Sequence, residues 1–246
     1  MMETALKKSE LVARLRSDIL ALQGFRAPAL GVKHDDFGLG PVMKAFPQGV
    51  FPRVGMHEFV SQSPEQTAAT SGFMAALAGK MMKEDGLCVW VGRHRTVYPF
   101  ALSHFGVAPD RVIFVDLRKD KDLLWAIEEA LKCDALSAVV GEIKELNLTE
   151  SRRLQLTVEE SKVTGLLHRV SPRLSNPVAA VCRWRISPLP GVAEQVLPGI
   201  GFPRWQVNIE KVRSGEPGSW PLEFRDGSFE LIDESISFHQ HLSKVG

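Results

Sequence analysis

Cysteine is scarce in this chain. Cys88, Cys133 and Cys182 lie far apart, are odd in number and include no CxxC pair. This excludes a disulfide framework and a thiolate zinc site, and it fits a reducing compartment. An excess of one charge is also missing. Thirty basic residues against 29 acidic ones leave a net charge of +1. That balance excludes a histone-like or tail-driven nucleic-acid binder and leaves room for a local basic face. No run of about 18 apolar residues occurs, so no membrane-spanning helix is expected. The N-terminal stretch is broken by Lys7, Lys8, Arg14 and Arg16. No signal peptide is therefore expected, and the chain reads as cytoplasmic.

What remains is ordinary globular material. The chain has 246 residues, of which 44% are hydrophobic and 24% charged. A chain of this size buries roughly 70–75% of its unfolded surface and needs no staple. Leu11, Leu15, Ile19 and Leu22 recur at helical spacing ahead of Gly24, predicting an amphipathic N-terminal helix. Gly- and Pro-rich chain follows from Phe25 to Pro52. The expected organisation is a helix and arm over 1–35, a core over 36–234 and a polar tail over 235–246.

Within the core, short apolar strands alternate with helices. Strands are expected at Gly55–Val60, Leu87–Val91, Val112–Val115, Leu136–Val140 and from Gly165. Helices are expected at Pro64–Lys83, Val97–Phe105, Asp122–Lys132 and Asn147–Val163, the last opened by an Asn147/Glu150 capping box. This alternation predicts an α/β fold with a mostly parallel sheet flanked by helices. Beyond residue 177 the period becomes two. Val178–Ile186 reads as a strand, and Trp205, Val207 and Ile209 alternate with polar residues. Trp220, Leu222 and Phe224 repeat the pattern before an Asp226–Gly227 turn. A C-terminal antiparallel β meander is the result.

The order of these elements, with the Gly/Pro arm over 36–55 and the strand HEFV over 57–60, resembles the RecA-like core of recombinases. The strings GMHEF (55–59), LLWAIEEAL (123–131), VVGE (139–142), LTESRRLQL (148–156), RWRISPLP (183–190) and EKVRSGEPGSWPLEF (210–224) are similar to the ImuA branch. That branch supplies the RecA-like component of bacterial mutagenic translesion-synthesis cassettes. The resemblance implies an adaptor in the SOS response to DNA damage. Its implied partners are a catalytically inactive Y-family polymerase homologue and a C-family error-prone polymerase. A RecA filament or self-association is a further option, and direct DNA binding stays open. Two alternatives stand beside it: a SulA-type cell-division inhibitor and a divergent RecA/KaiC-type ATPase.

Against that family the phosphate machinery is degenerate. A P-loop needs glycines that free backbone N–H groups, a lysine and a hydroxyl for Mg²⁺. The matching segment SQSPEQTAATS (61–71) has no glycine until Gly72 and no lysine until Lys80. Pro64 removes a donor and Glu65 adds negative charge. Ser61, Ser63 and Thr67 remain as an N-cap or as weak anion contacts. The strand over 87–91 runs into Gly92–Arg95 where a catalytic acid would stand. The strand over 137–140 runs into Gly141, with Glu142 one position on and on the opposite face. No cofactor, no metal and no ATPase activity are expected.

The remaining candidates are basic. Arg93, His94 and Arg95 follow a parallel strand, where α/β proteins bind ligands. Arg169 and Arg173 fall in a predicted connection, while Arg183, Arg185, Lys211 and Arg213 interleave with tryptophans. Each is open as an anion, DNA or partner contact or as a solvated surface. The stripe Leu11, Leu15, Ile19 and Leu22 packs on a neighbour or on its own core. The His239–His241 pair has the wrong spacing for zinc.

Overall fold

Short apolar runs become strands because each is too brief for a helix and is covered on both faces. The computed structural model describes residues 11, 12, 14, 15, 18, 19, 37–83, 85–173, 176–192 and 201–232. Its strands are β1 (Met56–Ser61), β2 (Leu87–Gly92), β3 (Val112–Asp116), β4 (Leu136–Ile143) and β5 (Thr164–Val170). They continue with β6 (Cys182–Pro188), β7 (Arg204–Val212), β8 (Gly218–Arg225) and β9 (Ser228–Leu231). One sheet holds them in the order β3-β2-β4-β5-β1-β6-β7-β8-β9. Pairing is parallel from β3 across to β6 and antiparallel from β6 to β9. No helix among the described residues is long and apolar enough to cross a membrane.

Helix α1 (Pro64–Met82) covers one side of the sheet, while α2 (Asp120–Leu131) and α3 (Leu148–Ser161) cover the other. On the α1 side, Phe73, Met74 and Leu77 pack with Phe59, Val140 and Leu166. On the other, Leu123, Ile127 and Leu154 pack with Val139 and Leu167. The Asn147/Glu150 capping box forms in both directions, with Glu150 N–H to Asn147 Oδ1 at 2.8 Å and Asn147 N–H to Glu150 Oε2 at 2.9 Å. Helix α1 carries Gly79 where it meets the backbone of a 3-10 segment, Pro99–Phe105. A Cβ there would lie 2.3 Å from the Phe105 carbonyl oxygen. Gly79→Ala is expected to lower stability by about 1–3 kcal/mol through overpacking, read as a shift in the urea midpoint at unchanged slope.

The meander is bound into the core by aromatic rings. Trp184 of β6 is fully buried and stacks on Phe59 of β1 at 5.7 Å. Phe73 meets Trp205 edge-on at 5.5 Å, and Phe229 lies 5.3 Å from Phe73. Trp205, Val207 and Ile209 face inward as their alternation predicts. Asp226 and Gly227 have φ of 48° and 75°, the left-handed pair that a tight hairpin turn requires.

Several boundaries differ from expectation. The segment before Gly106 is a 3-10 helix, since Pro99 and its short length disfavour a full α-helix. β4 extends to Ile143 and β5 to Val170, so Glu142 and Arg169 lie in strands and not in connections. β6 starts at Cys182, because β1 offers it a ladder over His57–Phe59 alone. Leu11, Leu15 and Ile19 are helical and 57%, 51% and 52% exposed. Leu22, most of 1–36 and all of 233–246 lie outside the described residues, and so do the proposed boundaries at 35 and 234.

Candidate functional site

The carboxyl ends of parallel strands collect the side chains that can meet a ligand. Here β1 passes into α1 with Gln62 and Ser63 alone between them. Ser63 caps the helix, its Oγ accepting from the Gln66 N–H at 3.3 Å. The Thr67 N–H donates to the Ser63 carbonyl at 2.9 Å, and the Gln62 N–H to Gln66 Oε1 at 2.9 Å. Pro64 has no N–H. The Ser63 hydroxyl and then the Glu65 backbone N–H hold the Glu65 carboxyl below its usual range. The Gln62, Gln66 and Thr67 N–H groups, donors of the kind a phosphate needs, are therefore engaged inside the junction, and the Glu65 carboxylate lies beside the Ser63 hydroxyl.

The three predicted hydroxyls are engaged as well. Ser61 is fully buried, with its Oγ 2.9 Å from Thr70 Oγ1 and 2.8 Å from His168 Nε2. Thr67 Oγ1 donates to the Ser63 carbonyl at 3.0 Å. Burial pulls His168 down to about 4, so its ring is neutral at neutral pH.

Glu142 and Gly141 take opposite faces of β4. A Cβ on Gly141 would run into Ile127 of α2. Glu142 turns to the α1 side, where Oε1 accepts from Trp90 Nε1 at 2.9 Å and from Thr96 Oγ1 at 3.3 Å. Burial pushes this carboxyl up. It lines a cavity of about 310 Å³ together with Thr67, Arg93, His94, Thr96 and Lys144. A larger space of about 580 Å³ adjoins it, walled by Pro64, Ala68, Gly72, Ala75, Val97 and Phe105. Both share Thr67, Thr96, Val170 and Ser171. Among the described residues no group of three acidic, His or Cys side chains is placed to hold a metal.

The basic candidates fall into separate places. Arg93 donates to the Arg118 carbonyl at 3.0 Å and pairs with Asp120. Arg95 pairs with Asp116 at 3.2 Å and lies over the Phe114 ring at 4.7 Å, while His94 is exposed beside them. Arg169 corrects the sequence reading: it is 1% exposed within β5, and its guanidinium is held by Glu58 and Asn176, each at 2.8 Å. Arg183 shares that carboxylate at 2.5 Å and is largely covered. Neither offers its charge to an external anion. Arg173 is exposed, with its backbone N–H on Glu145 Oε1 at 2.8 Å. Arg185 pairs with Glu210 at 2.6 Å. Lys211 and Arg213 lie beside the start of β6, at the end of the sheet opposite Arg93–Arg95, so the two groups form no common face.

Sequence reasoning missed the centre of this charge network. Glu58 is 1% exposed and serves two guanidiniums, while Asn176 Nδ2 ties the set to the Leu146 carbonyl at 2.6 Å. The available signal was a carboxylate within an apolar strand, which is retained only with a partner. A second omission is the Trp90–Glu142 bond, since an indole N–H on a buried strand needs an acceptor.

No protein-family model matches the chain. Over 215 residues it is 34% identical to Protein ImuA of Caulobacter vibrioides strain NA1000 / CB15N, covering 80% of this chain and 88% of that protein. The same values hold for Protein ImuA of strain ATCC 19089 / CIP 103742 / CB 15. Among solved structures, the crystal structure of SulA from Pseudomonas aeruginosa is 15% identical with a TM-score of 0.39, covering 46% of this chain and 95% of that one.

Proposed function

From the premise that the chain belongs to the ImuA family, we propose that it is a non-catalytic, RecA-like adaptor of an error-prone translesion-synthesis complex in the DNA-damage response. The observation that supports the non-catalytic part is the closed junction at Ser61–Thr67. Its Gln62, Gln66 and Thr67 N–H groups are used internally, its hydroxyls are engaged, and Glu65 repels the anion an ATPase must hold. Work by contact alone is what such a chain can still do.

In this reading the arm over 1–35 and the exposed Leu11, Leu15 and Ile19 serve association. The core over 36–234 is the platform and 235–246 a tail. The partners are a catalytically inactive Y-family polymerase homologue and a C-family error-prone polymerase. Incubation with ATP and Mg²⁺ is expected to show no phosphate release; turnover would overturn the non-catalytic reading. Co-purification with the Y-family homologue tests the adaptor role, and absence of association, with damaged DNA present, would overturn that.

A further inference from the structure

Between β2 and β3 the chain exposes two aromatic rings that the fold does not use. Tyr98 is 67% and Phe100 69% exposed, with ring centroids 5.5 Å apart. Two water-facing aromatics held close together offer a surface on which another ring can stack. The loop that carries them begins with Arg93, His94 and Arg95. Its Thr96 and Val97 line the two joined cavities described above. The larger space has mainly apolar walls, and the smaller one carries the Glu142 carboxyl beside Thr67, Thr96 and Ser171. Trp90 and Thr96 both donate to its Oε1, which leaves Oε2 with a weaker Thr96 contact at 3.5 Å.

Three features therefore meet along this loop: exposed rings at 98 and 100 set between the cavity-lining Val97 and Ala101, cations of which Arg93, His94 and Lys144 line the smaller cavity, and the Glu142 carboxylate in a space larger than one nucleobase. The cations are modest. Arg93 and Arg95 are exposed and paired with Asp120 and Asp116, while Lys144 and His94 are exposed with no ion pair among the described residues. Exposed pairs of this kind are worth little and give way to a phosphate. A duplex offers no base face to Tyr98 or Phe100, and a bare phosphate leaves the apolar walls empty.

We propose that this loop and cavity bind single-stranded nucleic acid, with one base stacked on the Tyr98–Phe100 pair and a neighbour inserted so that its N–H edge meets Glu142. Arg93, Arg95 and Lys144 contact the flanking phosphates. The site goes beyond the adaptor reading and does not depend on it, since a chain can dock a polymerase without touching its template.

The experiment is fluorescence anisotropy of the full chain with short single-stranded DNA, the matching RNA and the matching duplex. Single strands are expected to bind, and the duplex to bind at least tenfold more weakly. Tyr98→Ala with Phe100→Ala is expected to lose about tenfold or more in affinity, the size of one base–aromatic stack. Both side chains are exposed, so the fold should survive, checked by an unchanged melting temperature. With two or three phosphate contacts, log affinity should fall against log salt with a slope of only about −1.5 to −2. Glu142→Gln should change the preference among oligothymidines carrying a single dC, dA or dG. A 2′-hydroxyl contact is read from the ratio of RNA to DNA affinity; either strand type bound through the aromatic pair supports the site. Absence of binding at low salt, equal binding of duplex, or full affinity in the double alanine variant overturns it. An unchanged base preference in Glu142→Gln overturns the inserted base.

Discussion

Glu58→Ala is expected to remove about 3–5 kcal/mol of folding stability, a large share of what a domain of this size has. The carboxylate is 1% exposed and lies between Arg169 and Arg183, at 2.8 and 2.5 Å. Its removal leaves the Arg169 charge inside the sheet without its nearest carboxylate; Asn176 at 2.8 Å and the more distant Glu145 at 3.7 Å are among the partners that stay. The cost is dominated by the desolvation of a buried guanidinium, which persists when its closest carboxylate is gone. A double variant serves as the control. Glu58→Leu combined with Arg169→Met removes both buried charges at similar volume and should recover most of the loss. Equilibrium unfolding in urea reads both variants. A single variant as stable as the parent would show that the network contributes nothing.

Acid should destabilise the protein well above the range in which carboxylates titrate. Trp184 Nε1 donates to His57 Nδ1 at 3.2 Å, so the neutral ring carries its proton on Nε2 and donates to the Pro52 carbonyl at 2.9 Å. Burial lowers His57 to about 4 against the Pro52 bond, and lowers His168 to about 4. An unfolded histidine titrates near 6.5, so between about 6.5 and 4 the unfolded chain binds more protons than the native one. Stability is present in full above 6.5, falls as pH drops through this window, and levels off below about 4. The slope is about 1.4 kcal/mol per pH unit for each ring, or roughly 3 kcal/mol per ring over the window. Glu142 acts in the other direction: its raised carboxyl stabilises the native state toward acid and partly offsets the slope. Thermal melts between pH 7.5 and 4.5 measure the sum. His57→Gln with His168→Gln keeps polar partners for Trp184 and Ser61 and should flatten the profile; an equally steep profile in that variant would assign the slope elsewhere.

These two sets of residues also mark where the sequence stopped being readable. Helix α1 and α3 were legible because a proline or an asparagine cap stands at the start and apolar spacing does the rest. Trp205 and its alternating neighbours identified β7, and Asp226–Gly227 the β8–β9 hairpin. The ends of β4 and β5 were not legible. Glu142, His168 and Arg169 break the apolar run that signals a strand, and each is tolerated only by a partner distant in sequence: Trp90, Ser61 and Glu58. Periodicity sees neighbours a few residues apart, whereas these pairs are fixed by strand order. The junction over 61–67 was legible as an absence of glycine and lysine. That the Gln62, Gln66 and Thr67 N–H groups are engaged within the turn could be known only from geometry.

Trp184 gives the chain a schedule. Its stacking partner Phe59 and the rings around Phe73 belong to the first strand and helix of the core, while Trp205 and Phe229 come near the far end. On the ribosome, the apolar face made early must wait uncovered until the last hairpin has emerged. Long-range closure of this kind is slow and exposes sticky surface meanwhile. Newly made chains should therefore depend on holdase chaperones late in translation, and shortened products lacking the final strands should be cleared and not accumulate as half-built platforms.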